Sequence, residues 1–143
     1  MCNHLLRGGL ALVALAGLVA AAHAAPFTAT GQVDRSSEVV HGNIVTGKIV
    51  GGQATQLGAW TGSFRNRFTN VVEGSIRMVA ASGEILDVAL VLTFDRQAGV
   101  YVGPFNIVAG TGRFAQATGG GTLIAVPQTN AGVVLKFDGA ISY

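Results

Sequence analysis

Charged side chains are scarce in this sequence, and the few that are present nearly balance. Only 11% of its 143 residues are charged, and the formal net charge at pH 7 is +2. A nucleic-acid-binding protein instead concentrates lysine and arginine on one surface, because phosphate contacts supply most of its affinity. The charge balance therefore excludes that class, and no nucleic-acid partner is predicted.

The long apolar run of the chain lies at its start. Residues 10–22 hold no charge and follow a short segment whose charged side chain is Arg7. Ala-His-Ala at residues 22–24 then gives the small-x-small pattern that signal peptidase reads. The run is shorter than the ~20 residues that a transmembrane helix needs. The sequence predicts a cleaved signal peptide over residues 1–24 and a secreted or periplasmic mature domain over residues 25–143, with no membrane span.

The predicted mature domain lacks the residues that form disulfides and metal sites. Cleavage removes Cys2, the sole cysteine, so neither a disulfide nor a thiolate nucleophile remains. His41 is then the single histidine, and it lies in a polar stretch where a solvated side chain is the simpler interpretation. One histidine cannot supply the ligands of a zinc site. We expect no metal ion and no cofactor.

Glycine separates short runs of β-branched and aromatic residues throughout the mature domain, which is typical of many strands joined by tight turns. No window shows sustained helical periodicity. Eight antiparallel strands can close into a barrel that their own side chains fill. We therefore predict an all-β fold, a single antiparallel up-and-down barrel of about eight strands. The predicted strands are residues 27–33, 44–50, 55–67, 71–80, 84–94, 100–108, 119–126 and 133–143, with residues 34–43 as a polar loop.

Strict alternation in the predicted strands indicates a wall with one apolar face. In the fifth strand Asp87 and Thr93 lie opposite an apolar row. A barrel in water points such rows inward. The row consists of Leu86, Val88, Leu90, Leu92 and Phe94.

Residues 108–119 form the most distinctive local pattern, with a turn motif at its centre. Glycine tolerates positive φ, so Gly110 and Gly112 are expected to reverse the chain sharply. Phe114 would then re-enter the core, and Arg113 would project at a barrel mouth as a candidate ligand-binding residue. The motif reads Gly110, Thr111, Gly112, Arg113 and Phe114.

That motif resembles the G-G-T-G-[RK]-F signature of the allene oxide cyclase and dirigent barrel superfamily, especially its small secreted bacterial members. Three further segments are similar to family patterns: ATQLG at residues 54–58, AASGEIL at 80–86 and DGAIS at 138–142. Ala109 departs from the signature, since the family has glycine there. The resemblance implies the barrel fold and homo-oligomerisation. It does not carry over catalysis, because no carboxylate here matches the interior acids of the plant proteins.

The same glycines formally fit the dinucleotide fingerprint G-x-G-x-x-[GA] over residues 110–115. That fingerprint requires a strand before it, a helix after it and a βαβ unit around it. Three consecutive glycines at residues 119–121 would end any such helix within two turns. Dinucleotide binding is therefore excluded.

Four other side chains are candidates for a site. Trp60, Tyr101 and Phe105 lie in predicted strands, where they either line a ligand pocket or pack in the core. Asp87 is flanked on its face by small and apolar residues, so it is the candidate for a partly buried carboxylate. Such a group is either a general acid with a raised pKa or a hydrogen-bonded structural aspartate.

These observations leave three functions open. The leading hypothesis is an exported, non-catalytic barrel that binds a small apolar ligand or a protein partner. The second is an isomerase or cyclase of the allene oxide cyclase kind, which would hold a flexible apolar substrate in one conformation and exclude water. That enzyme requires a cavity long enough for a fatty-acid chain. The third is a small outer-membrane barrel, although too few aromatic residues are present to ring two membrane interfaces.

Overall fold

The structure is a computed structural model that describes residues 24–129 and 132–143, and it confirms the all-β fold. The predicted signal peptide lies outside the described residues, apart from Ala24. A 3-10 helix, Gly112–Phe114, is inserted between the sixth and seventh strands. The strands are β1 Ala25–His41, β2 Ile44–Ala54, β3 Gly58–Phe68, β4 Val72–Ala80, β5 Ile85–Asp95, β6 Val100–Gly110, β7 Thr118–Gln128 and β8 Gly132–Ser142.

Each strand pairs antiparallel with the next, and β8 pairs with β1, so the sheet closes into an up-and-down barrel. Closure leaves no unpaired edge on which another chain could add a strand. Two ends result. The terminus end holds Ala25, Tyr143 and the β2–β3, β4–β5 and β6–β7 connections. The cavity end holds the β1–β2, β3–β4, β5–β6 and β7–β8 turns.

Aromatic side chains fill the half of the barrel nearer the terminus end. Phe27, Phe105 and Phe137 pack against one another with ring centroids 5.2 to 6.3 Å apart. Trp60 meets Phe137 edge-on at 6.4 Å. All four rings are buried. The predicted inward row of β5 is confirmed from Leu86 to Leu92, whereas Phe94 is half-exposed at the cavity end.

Two glycines on neighbouring strands make room for the indole of Trp60. A Cβ built on Gly31 would lie 2.9 Å from the ring, and one built on Gly52 would overlap it. Real Cβ atoms essentially never make contacts this short. The ring therefore covers bare backbone, an arrangement that lets a large side chain fit inside a narrow barrel.

Two ion pairs lie on the outer wall. Arg77 on β4 donates two hydrogen bonds to Asp87 on β5, at 2.9 and 3.0 Å. Arg67 on β3 lies 3.6 Å from Glu73 on β4. Across residues 24–129 and 132–143, no charged or polar residue is fully buried. Within the same ranges, no helix is long and apolar enough to cross a membrane.

The predicted polar loop at residues 34–43 is wrong for most of its length, because β1 continues to His41. The polar residues form a bulge within the strand instead of ending it. Between the pairs Asp34–Lys48 and Val39–Thr46, β1 uses three residues more than β2. The Ser37 hydroxyl donates to the Asp34 carbonyl at 2.6 Å and accepts from the Lys48 amide at 2.8 Å, which replaces the missing ladder bond.

We predict that Gly52→Ala destabilises the barrel by about 1–3 kcal/mol, as overpacking of a filled core does. The added methyl group meets the Trp60 ring, which has no free space to move into. In a Trp60→Leu background the same substitution should cost much less. Urea denaturation of the four proteins measures this coupling. Strictly additive losses would contradict it.

Candidate functional site

An interior cavity of ≈ 100 Å³ lies between the aromatic core and the cavity end. Side chains from every strand of the barrel line it, so its position follows from the inward alternation of the strands. This half of the barrel has apolar walls that leave a space between them, whereas aromatic rings fill the other half. Representative lining residues are Val33, Val45, Ile76, Leu92, Leu123 and Leu135.

Three polar side chains also line the cavity: Glu38, Asn66 and Tyr101. The bulge in β1 explains the first of them. An odd number of extra residues reverses which side chains of a strand face inward, because side chains alternate with a period of two. Val33 faces inward before the bulge, and Glu38 faces inward after it, with its Cγ against Gly47. The bulge thus brings the partly exposed side chain of Glu38 into the lining of an otherwise apolar cavity.

Asn66 on β3 presents an unpaired acceptor. Its Oδ1 is buried and has no hydrogen-bond partner within the described residues. The side chain fits because its cross-strand neighbour is Gly74, where a Cβ would overlap that oxygen. Burying an acceptor without a donor costs free energy, so this oxygen destabilises the free protein.

Three aromatic rings form a rim at the cavity end, which we call the aromatic rim: Phe68, Phe94 and Tyr101. The Tyr101 ring lies 4.9 Å from that of Phe94 and 6.5 Å from that of Phe68, the latter perpendicular to it. Phe94 is 50% exposed and Phe68 is 38% exposed. Apolar rings that remain this exposed beside a cavity offer a surface for a ligand.

Glu38 has no hydrogen bond or ion pair within the described part of the chain. Its β1 strand and the β3 strand of Asn66 are two strands apart, which corresponds to roughly 10 Å between backbones. Inward-pointing side chains shorten that span. Glu38 and Asn66 therefore border the same cavity from strands that are not neighbours.

The three aromatic candidates predicted from the sequence lie in different parts of the barrel. Tyr101 lines the cavity. Trp60 and Phe105 pack in the aromatic core, which was the alternative interpretation of both residues. Neither Trp60 nor Phe105 lines the cavity, so a ligand role has no geometric support for either residue.

Asp87 is partly buried, as expected, but on the outer wall. Both carboxylate oxygens accept hydrogen bonds from Arg77, and the side chain is 24% exposed. Both oxygens are thus occupied by the guanidinium of Arg77, and the side chain is absent from the lining of the cavity. The structural role, not the catalytic one, fits this geometry.

The turn motif lies at the terminus end of the barrel, where its role is structural. Gly112 has φ +57°, as expected, but Gly110 is not in the left-handed region. Gly110 is instead required by close approach, because its Cβ would overlap the Phe114 carbonyl oxygen. Thr111 exchanges hydrogen bonds with the Ile85 backbone, through its amide at 3.0 Å and its hydroxyl at 2.9 Å. The expected burial of Phe114 is confirmed.

Arg113 lies at one end of the barrel, as expected, but its side chain is held by hydrogen bonds and that end is opposite the cavity. Its Nε donates to Glu84 Oε1 at 3.0 Å, and its Nη2 donates to the Gln56 carbonyl at 2.6 Å. The Arg113 amide also donates to Glu84 Oε2 at 2.8 Å, and this bond is the main cause of the lowered pKa of Glu84. The guanidinium joins three connections of the terminus end, far from the cavity, so a ligand role there is not supported.

Sequence reasoning missed Glu38 and Asn66. The bulge at residues 34–39 changes which side chains of β1 face inward. The sequence of β1 alone does not show this change, because it depends on how many residues β2 uses over the same stretch. One signal was available for Asn66: it falls on the inward face of β3 between Phe64 and Phe68. A polar residue in an apolar row calls for a functional interpretation.

Comparisons of the chain with protein-family models, with curated proteins and with solved structures give no match. The function of the protein is therefore inferred from the geometry of the barrel.

We predict that Gly112→Val and Phe114→Ala are much less stable than the parent, whereas Arg113→Ala is nearly as stable as the parent. Gly112→Val forces a β-branched residue to positive φ and against Glu84, and Phe114→Ala should cost ~3–5 kcal/mol through its cavity. Arg113→Ala should lower the melting temperature only slightly, since its side chain is about half exposed. Thermal melts decide this. A larger loss for Arg113→Ala than for Phe114→Ala would contradict the assignment.

The free energy of unfolding should decrease at acidic pH because of Glu84. Because hydrogen bonds from Arg113 lower its folded-state pKa, the contribution is present above the unfolded pKa of glutamate, about 4.3, and is lost as pH falls through the lower folded value. We expect the parent to lose more stability between pH 5 and 3 than Glu84→Gln does. The exposed Glu73→Gln variant is the control. Parallel pH profiles for the parent and Glu84→Gln would refute this.

Proposed function

We propose that the protein binds a small apolar molecule, or the apolar end of a larger one, in the cavity of the barrel without transforming it. The observation that carries this proposal is an apolar cavity beside an exposed aromatic rim, within a barrel whose other half is filled. Unfilled apolar space costs packing energy, so its occupation by a ligand is favourable.

The size of the cavity limits the ligand. A volume of ≈ 100 Å³ is smaller than the ~150 Å³ engineered cavity that takes benzene, and well below the ~300–1,000 Å³ of drug-sized sites. A chain of about four non-hydrogen atoms is the scale that fits. A fatty-acid chain does not fit unless the aromatic core rearranges, so the cyclase alternative lacks the cavity that it requires.

We also propose a family and a location for the protein. An eight-strand barrel with the turn motif between β6 and β7 supports membership of the allene oxide cyclase and dirigent-like superfamily. The signal-peptide pattern supports export to the periplasm or beyond. An apolar interior with ion pairs on the outer wall is the reverse of a membrane-spanning barrel, which argues against the outer-membrane alternative.

Filling the cavity should abolish binding. Ala125 lines it, so Ala125→Leu places three additional carbons there, while Ala59→Leu makes the same change at an exposed position near the terminus end. We expect 1-butanol, titrated by NMR, to shift cavity-lining methyl signals in the parent and in Ala59→Leu. Ala125→Leu should weaken binding by at least about tenfold, because its methyl groups occupy the site.

Melting curves of both variants confirm that each is folded before titration. Two results would overturn the proposal: no saturable shift in the parent, or equal affinity in the parent and in folded Ala125→Leu.

A further inference from the structure

We infer that the ligand of this cavity is an organic monocation, a protonated amine that carries a short apolar substituent. This inference rests on the proposed function and adds the chemical class of the ligand. The substituent would occupy the apolar cavity, and the ammonium group would lie between Glu38, Asn66 and the aromatic rim.

The carboxylate of Glu38 is the first argument. The β1 bulge, with three extra residues and the inserted Ser37 hydroxyl, turns this side chain inward. Of the other six acidic residues, Glu73, Glu84 and Asp87 pair with an arginine, and Asp34, Asp95 and Asp138 do not line the cavity. Glu38 lines the cavity without any such partner among the described residues. A cation from outside can therefore supply the missing opposite charge.

The aromatic rim is the second argument. Ring faces attract cations through their quadrupole, and aromatic rings grouped beside a binding site are a recurring way of holding ammonium groups. Tyr101 belongs both to the rim and to the cavity lining, so the rim and the carboxylate border the same space. A neutral ligand would gain the contact area of the rings but not this electrostatic attraction.

The buried Oδ1 of Asn66 is the third argument, and it selects among cations. Asn66 lines the cavity, and its Oδ1 lies buried against Gly74, so a donor reaches this oxygen only when the side chain turns toward the cavity; a primary ammonium group then has N–H donors for it, whereas a quaternary one has none. Glu38 disfavours a carboxylate ligand, because two negative charges would repel each other. The site therefore prefers a primary amine over an alcohol, and an alcohol over an acid, at equal chain length.

The test compares three four-carbon probes at pH 7: n-butylammonium, 1-butanol and butanoate. NMR titrations use the parent, Glu38→Gln and the outer-wall control Glu73→Gln. In the parent and the control we expect n-butylammonium to bind at least about tenfold more tightly than 1-butanol, and butanoate to bind most weakly. Glu38→Gln should weaken the binding of n-butylammonium much more than the binding of 1-butanol, and so remove the preference for the amine.

A second variant tests the rim separately. Phe94→Leu removes a half-exposed ring at the rim, so it should weaken binding of n-butylammonium more than binding of 1-butanol. Melting curves establish that each variant is folded.

The outcomes separate this inference from the proposed function. If 1-butanol and n-butylammonium bind the parent equally, or if Glu38→Gln keeps the preference for the amine, the inference is wrong and the apolar site stands. If no probe binds the parent, both are wrong.

Discussion

The interior width of a closed eight-strand barrel governs the rest of this structure. Once β8 pairs with β1, the distance across the barrel is fixed, and each inward side chain must fit the space that the opposite strands leave. Trp60 fits because Gly31 and Gly52 have no side chains beneath it. The large rings fill one half so completely that any unfilled volume must lie in the other half.

The unfilled half contains the polar exceptions. Its inward carboxylate comes from the bulge in β1, and its unpaired amide oxygen lies beside a glycine that makes room for it. The buried amide oxygen lowers the stability of the free protein relative to a wholly apolar interior. Local costs of this kind are common at functional sites, where a ligand restores the missing interactions. At the terminus end, by contrast, the charged side chains of Arg113 and Glu84 form an ion pair.

Sequence patterning predicted the fold well and the site poorly, for one physical reason. Alternation and glycine spacing are local properties, so they located eight strands, the inward row from Leu86 to Leu92 and the burial of Phe114. The inward orientation of Glu38 depends on a count of residues in two strands together. Likewise, Arg113 looked free because its partners lie 29 and 57 residues away along the chain.

The first strand begins and the last strand ends at the barrel end opposite the cavity. Ala25 pairs with Ile141 there, and Tyr143 packs its ring 5.1 Å from that of Phe114. A tether joined at Ala25 or at Tyr143, such as an affinity tag, a surface linkage or a fused domain, would present the cavity outward. The barrel can thus be immobilised or displayed on a support while solutes in the surrounding medium still reach its mouth.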